Sequence, residues 1–187
     1  MPTEVEVKLK VDAHDPVRAK LQEHAAQPLG QVLEINHIFD NAQRSMLASD
    51  RGLRVRECRD AHGALVRAIL TYKGPRAPGR IKRREEIELA IDDPAVAANL
   101  LEQLGFLEAV RFEKRRESWR LGACLVELDE VPYLGTFVEI EGPEEDGIEQ
   151  VRAELGLADA PLVRSSYIGL LVRHCQAHGL PFAIITF

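Results

Sequence analysis

Residues 4–11, Glu-Val-Glu-Val-Lys-Leu-Lys-Val, alternate without a break, with charges at 4, 6, 8 and 10 and apolar side chains at 5, 7, 9 and 11. A period of two gives the two faces of a strand opposite chemistries. The same reading predicts strands near 33–40, 52–59, 64–73, 82–91, 108–119, 124–130 and 134–142. Turn-forming residues separate them, among them Asp50-Arg-Gly52, Gly74-Pro75, Pro78-Gly79, Pro132 and Gly135. Helices are predicted over 16–26, 94–104, 146–156 and 165–178. The first two open on Asp15-Pro16 and Asp93-Pro94, a capping acid followed by proline at the first helical position. Within 94–104, Val96, Leu100, Leu101 and Leu104 form one apolar stripe. No repeat, low-complexity tract or long linker intervenes, so residues 1–187 read as one α+β domain rich in antiparallel strands. The tail, Leu180 to Phe187, is apolar to its end and is predicted to dock on the body of the protein or on a partner subunit.

Composition narrows the class. Hydrophobic residues at 45% and charged residues at 29% exclude wholesale disorder. A net charge of −6 argues against a protein that coats nucleic acid or an anionic membrane. No apolar run approaches the roughly 20 residues that cross a bilayer. Cys58, Cys124 and Cys175 are far apart and match no zinc spacing. A reduced, cytoplasmic enzyme or binding protein is the expectation.

The polar strand faces change that picture. Carboxylates recur two apart at Glu4/Glu6, Glu86/Glu88, Glu127/Asp129 and Glu139/Glu141. Such neighbours lie about 7 Å apart on one face, and their repulsion is unfavourable. Basic residues are equally unmixed, at Arg54/Arg56 and Lys114/Arg116, with Lys8, Lys73 and Arg84 beside them. A face meant only for solubility would intersperse the two signs. Divalent cations between carboxylates relieve the repulsion, and an all-oxygen ligand set suits Mg²⁺ or Mn²⁺. Guanidinium and ammonium groups on fixed strands suit a highly charged anion such as a polyphosphate. One geometry accommodates both, a closed barrel of about eight strands with its charges inward and its apolar faces covered by helices.

These residues, in this order, resemble the CYTH family of triphosphate tunnel metalloenzymes, which includes class IV adenylate cyclases, thiamine triphosphatases and inorganic triphosphatases. The resemblance is carried by Glu4-Val-Glu-Val-Lys8, Ile38-Phe-Asp40, Leu53-Arg-Val-Arg56, Thr71-Tyr-Lys-Gly74 and Arg84-Glu-Glu-Ile-Glu88. Leu128-Asp-Glu-Val-Pro132, Leu134 to Glu141 and Ser166-Tyr167 continue it. It implies a closed eight-stranded antiparallel β-barrel, a triphosphate tunnel with helices packed outside. It further implies Glu4, Glu6, Asp129, Glu139 and Glu141 as metal ligands, and Lys8, Arg54, Arg56, Lys73, Arg84, Lys114 and Arg116 as triphosphate ligands. Lys8, Arg56 and Lys73 are the residues expected to act in catalysis, with Glu86, Glu88 and Glu127 in support. In the run Lys114-Arg-Arg116, positions 114 and 116 are expected inside, which puts Arg115 outside.

Hydrolysis of tripolyphosphate, thiamine triphosphate or a nucleoside triphosphate is the favoured activity, because it needs only the tunnel and a water. The alternative is a class IV adenylate cyclase, which uses the same charges but requires a base pocket at one mouth; a non-catalytic polyphosphate-binding or nucleotide-binding module is the third reading. The resemblance and the apolar tail are compatible with a homodimer. Arg80-Ile-Lys-Arg-Arg84 reads as a mobile basic loop near a tunnel mouth, and His174 and His178 as cations near a helix C-terminus.

Overall fold

The structure, a computed structural model, describes residues 3–79 and 81–187, with the backbone alone at residues 3 and 4. Among these residues nine strands form one sheet: β1 (Thr3–Lys10), β2 (Gln27–Asn41), β3 (Gly52–Arg59), β4 (Leu65–Arg76), β5 (Lys82–Ile91), β6 (Phe106–Leu121), β7 (Cys124–Val131), β8 (Gly135–Glu141) and β9 (Ile184–Ile185). The order β2-β3-β4-β5-β1-β8-β7-β6, with β2 returning to pair with β6, closes eight antiparallel strands into a barrel. Helices α1 (Asp15–Glu23), α2 (Ser45–Ala48), α3 (Pro94–Gln103), α4 (Glu145–Glu154) and α5 (Tyr167–His178) pack around it.

The barrel is inverted relative to a packed core. Val5, Val7 and Leu9 of β1 point outward and join Val126 and Leu128 of β7 and Val138 and Ile140 of β8. Ile148 and Val151 of α4 and Val17 and Leu21 of α1 complete this cluster, in which every one of these side chains is buried. Each such burial contributes about 1.5–3 kcal/mol, so the helices supply the hydrophobic stabilisation that the lumen lacks. A second cluster on the lumen side joins Phe112, Val131 and Phe137 to Tyr167, Leu171 and Cys175 of α5, and so closes one end of the tunnel. β9 extends it: the apolar tail pairs parallel to Arg111 and Phe112 of β6 and buries Ile185.

Several elements depart from the sequence reading. His14, not Asp15, is the N-cap of α1, and the helix ends at Glu23 instead of 26. Asp93 does cap α3, accepting from the amides of Ala95 and Val96. Of the α3 stripe, only Leu101 is buried, while Val96, Leu100 and Leu104 face solvent. Amphipathic periodicity identifies a helix face, but the barrel offers α3 too narrow a contact to cover it. β5 coincides with the strand predicted over 82–91, so Lys82 to Arg84 belong to a strand paired with β1 and not to the mobile basic loop also expected over 80–84. Arg80 lies outside the described residues. β2 and β6 run to 15 and 16 residues, longer than predicted, because each is paired along its length in the closed barrel. No helix among the described residues is long and apolar enough to cross a membrane.

Candidate active site

The lumen is built by strand alternation. Antiparallel register sets Glu6 opposite Glu141 and Lys82, Lys8 opposite Glu139, and Glu127 opposite Glu139. It likewise aligns Arg116 with Asp129, Glu34 with Lys114, and Asn36 with Arg56. All of these point inward. The structure thus brings nearly all the predicted charged residues into one tunnel, with Lys114 and Arg116 inside and Arg115 outside, paired to Glu130. The side chain of Glu4 lies outside the described residues.

Arg116 is the hub. Its Nε and Nη2 each donate to Asp129 at 2.7 Å, and it also pairs with Glu127 and Glu139. Asp129, fully buried, additionally accepts from Lys114 Nζ at 3.1 Å and from the Tyr167 hydroxyl at 2.8 Å. Lys8 Nζ stands 3.1 Å from Glu139 and 3.9 Å from the centre of the Tyr167 ring. Burial acts to lower the Arg116 pKa, but Asp129, Glu127 and Glu34 outweigh it and hold the guanidinium well above its usual range. Burial pushes the Glu127 carboxyl up to about 7, despite Arg116, with Asp129 adding to the rise. Burial would raise Glu139 too, yet Lys8, Lys114, Arg116 and Lys82 hold it well below the usual carboxylate range.

Across the tunnel, β3 and β4 carry a different arrangement. Arg56 reaches Glu34 at 3.1 Å and Asn36 at 3.4 Å. Arg54 meets the Thr71 hydroxyl at 3.3 Å and Glu88 at 3.8 Å, while among the described residues its buried Nε has no hydrogen-bond partner. The buried Nδ2 of Asn36 is likewise unpartnered. Burial and the neighbouring Arg56 push the Arg54 pKa down to about 10. Glu86 pairs with Lys73 and Glu88 accepts from Thr71 at 3.1 Å, so both orient neighbours on the basic wall. Arg84 donates to the carbonyls of Gly74 at 2.9 Å and Asp50 at 3.0 Å.

Several lumen residues escape the sequence reading, among them Asn36, whose lone amide side chain carries no charge pattern to mark it. Glu34, almost fully buried, joins Arg56 and Lys114, each at 3.1 Å. Its alternation with Leu33 and Ile35 is the signal that could have found it, but it lacks the like-charged neighbour that marks the others. Lys82 pairs with Glu6 at 2.7 Å, although it reads as part of a loop. Tyr167 reads as one half of a motif, and only the docking of α5 reveals that its hydroxyl holds Asp129.

The carboxylates Glu6, Glu139 and Glu141 come from adjacent strands, and as all-oxygen donors they fit a hard divalent cation. Glu139 is engaged by Lys8 and Arg116, and Glu6 by Lys82. Among the described residues no three acidic, histidine or cysteine side chains are gathered at metal-binding distance. A cation entering here would exchange for those ammonium and guanidinium partners.

The CYTH domain model matches residues 2–167. A Methanocaldococcus jannaschii protein provisionally named an adenylate cyclase is 29% identical over 176 residues, covering 89% of this chain and 97% of that protein. The structure of the PH1819 protein of Pyrococcus horikoshii superposes with a TM-score of 0.77 at 31% identity, covering 91% of this chain and 98% of that one. HpAC1 of Hippeastrum, provisionally named an adenylyl cyclase and described as having a dominant triphosphatase activity, gives a TM-score of 0.67 at 21% identity, covering 96% of this chain and 97% of that one.

Proposed function

The chain belongs to the CYTH domain family, and on that premise we propose that it hydrolyses a triphosphate inside its tunnel with the help of Mg²⁺ or Mn²⁺. The observation that carries this reading is the pair of orphaned buried donors, Arg54 Nε and Asn36 Nδ2, on a wall that also bears Arg56. Unpaired buried donors beside a depressed guanidinium are costly, and phosphate oxygens would satisfy them.

In this reading Arg54, Arg56, Lys73, Lys114 and Arg116 hold the phosphates, and Lys8 faces the group being transferred. Arg84, engaged by carbonyls, shapes the tunnel end where β4 and β5 meet. Glu4, Glu6, Glu139 and Glu141 would hold the cation, with Asp129 completing the set once its cationic partners turn to the anion. When bound, such a cation would supply positive charge to the phosphate chain and make a water more acidic as a nucleophile. The chain's own part is to position the anion and neutralise charge on the leaving phosphate. A homodimer belongs to the same reading, supported by the solvent-facing Val96, Leu100 and Leu104 of α3 and Ile87 and Leu89 of β5.

Class IV adenylate cyclase is the second reading, favoured by a cavity of about 480 Å³ at one tunnel mouth that has room for a base. Product analysis separates the two. Incubation with Mg²⁺ or Mn²⁺ and, in turn, tripolyphosphate, thiamine triphosphate and ATP should release orthophosphate. Cyclic AMP with pyrophosphate from ATP would replace hydrolysis by cyclisation.

A further inference from the structure

Helix α5 meets the charged tunnel through its first turn. Ser166 caps it, accepting from the Gly169 amide at 3.2 Å, and so fixes where Tyr167, the first helical residue, enters. The Tyr167 ring is buried and stands edge-on to Phe137 of β8, with centroids 5.2 Å apart and planes at 78°. Lys8 Nζ lies 3.9 Å from the centre of that ring and Lys114 Nζ 5.3 Å. Both fall within the roughly 6 Å over which a ring face attracts an ammonium, more strongly where water is excluded.

An ammonium has three donors and no acceptor. Among the described residues that of Lys8 meets three acceptors: Glu139 at 3.1 Å, the Ser165 carbonyl at 3.4 Å and the Tyr167 ring. One part of this grip is charged and the rest is neutral. Glu139 is the charged part, and it is also one of the oxygen donors given above to a cation. The neutral part comes entirely from α5 and its capping turn, and does not depend on Glu139. A carbonyl and a ring face hold an ammonium without cancelling its charge, which stays available to an anion. The Tyr167 hydroxyl is occupied separately, donating to Asp129 at 2.8 Å. Burial, and then the Asp129 charge, hold the Tyr167 pKa well above its usual range, so the hydroxyl keeps its proton.

We propose that Tyr167 is a positioning residue: its ring face keeps the Lys8 ammonium aimed at the reacting phosphate when Glu139 turns to the cation. The inference rests on the triphosphate reading above and adds to that reaction an uncharged residue, supplied by a helix and not by the barrel.

Tyr167→Phe keeps the ring and Tyr167→Leu removes it, so the two are compared in Mg²⁺-supported hydrolysis of tripolyphosphate. The leucine variant should lose about tenfold or more in kcat with KM within about twofold, while the phenylalanine variant stays within about threefold in kcat. In a Lys8→Gln background the leucine substitution should cost less than about twofold more. A readout independent of turnover is the NMR signal of the Lys8 ε-methylene, which a ring face shifts upfield. It should lie upfield in the wild type and the phenylalanine variant, and return to the ordinary lysine position in the leucine variant. Tyr167→Met fills the space without a ring face and takes the place of leucine if that variant does not fold. Equal losses in the phenylalanine and leucine variants, or an undiminished leucine effect without Lys8, would leave Tyr167 only a packing role and overturn the inference. So would a wild-type Lys8 signal at its ordinary position. Wild-type protein that turns over none of tripolyphosphate, thiamine triphosphate and ATP would overturn the triphosphate reading and the catalytic part of this inference with it. The Lys8 signal tells that failure apart from loss of the grip.

Discussion

Arg116 and Arg54 are both tunnel arginines on strands of one barrel, yet their surroundings are opposite. Around Arg116 carboxylates converge from three strands: Glu34 from β2, Glu127 and Asp129 from β7, and Glu139 from β8. Around Arg54, among the described residues, there is a hydroxyl, a carboxylate at 3.8 Å and an Nε without a hydrogen-bond partner. The pKa directions agree, raised at the first and lowered at the second. A buried charge is tolerated where partners surround it and is costly where they do not. The Arg116 region is therefore compensated within the chain, and the Arg54 region is where the proposed function places an anion. On the proposed function, an anion reaching Arg54 would displace little, whereas one reaching Arg116 would have to draw it from its carboxylates and leave those oxygens for a cation.

The sharpest test of this contrast is the same substitution on both sides. Arg116→Met strips the partner from buried carboxylates and should cost about 3–5 kcal/mol of stability in chemical denaturation. Loss of less than about 1 kcal/mol would erase the distinction.

Next in size is Glu6→Gln, which should reduce metal-supported turnover by about 100-fold, the scale of losing one electrostatic stabiliser. Calorimetric titration of Mn²⁺ in the presence of tripolyphosphate should show weakened metal binding. Undiminished turnover and metal affinity would remove Glu6 from the cation site.

Arg54→Met should leave stability unchanged or slightly higher while weakening tripolyphosphate binding by about 10- to 100-fold. That range corresponds to about 1.5–3 kcal/mol for hydrogen bonds to a charged group. If stability falls as it does for Arg116, the two regions are alike.

The smallest effect depends on pH. Glu127, pushed up to about 7 by burial, binds its proton more tightly in the folded chain than when unfolded. Its contribution to stability is present below the ordinary carboxylate pKa and is lost as pH rises through about 7. Glu127→Gln should accordingly match the metal-free wild type near pH 4.5 and exceed it by about 1–2 kcal/mol at pH 8. A gain that does not depend on pH would mean that Glu127 does not titrate in this range.

Much of the tunnel is legible along the chain because side-chain direction in a strand is a local property. Glu6 and Lys8 share a face whatever lies beside them, and so do Glu139 and Glu141. Like-charged doublets then mark that face as something other than a solvated surface. The same logic loses single residues: Glu34 carries no doublet, and Lys82 is masked by the loop-like composition around it. The exposed stripe of α3 shows the converse failure, since periodicity reports a face without reporting what covers it.

The sequence by itself determined which residues lie on a common strand face, that apolar and charged faces are segregated, and that the charged set is of a kind that suits a highly charged anion and a hard divalent cation. These follow from the two-residue repeat of a strand and the chemistry of the side chains. Only the tertiary structure decided which strands become neighbours, and so that Arg116 gathers carboxylates from three strands while Arg54 is left short of them. It likewise placed Tyr167 over Lys8 and laid the tail along β6. Those relations join residues tens of positions apart, and closure of the barrel sets their register in a way no local pattern encodes.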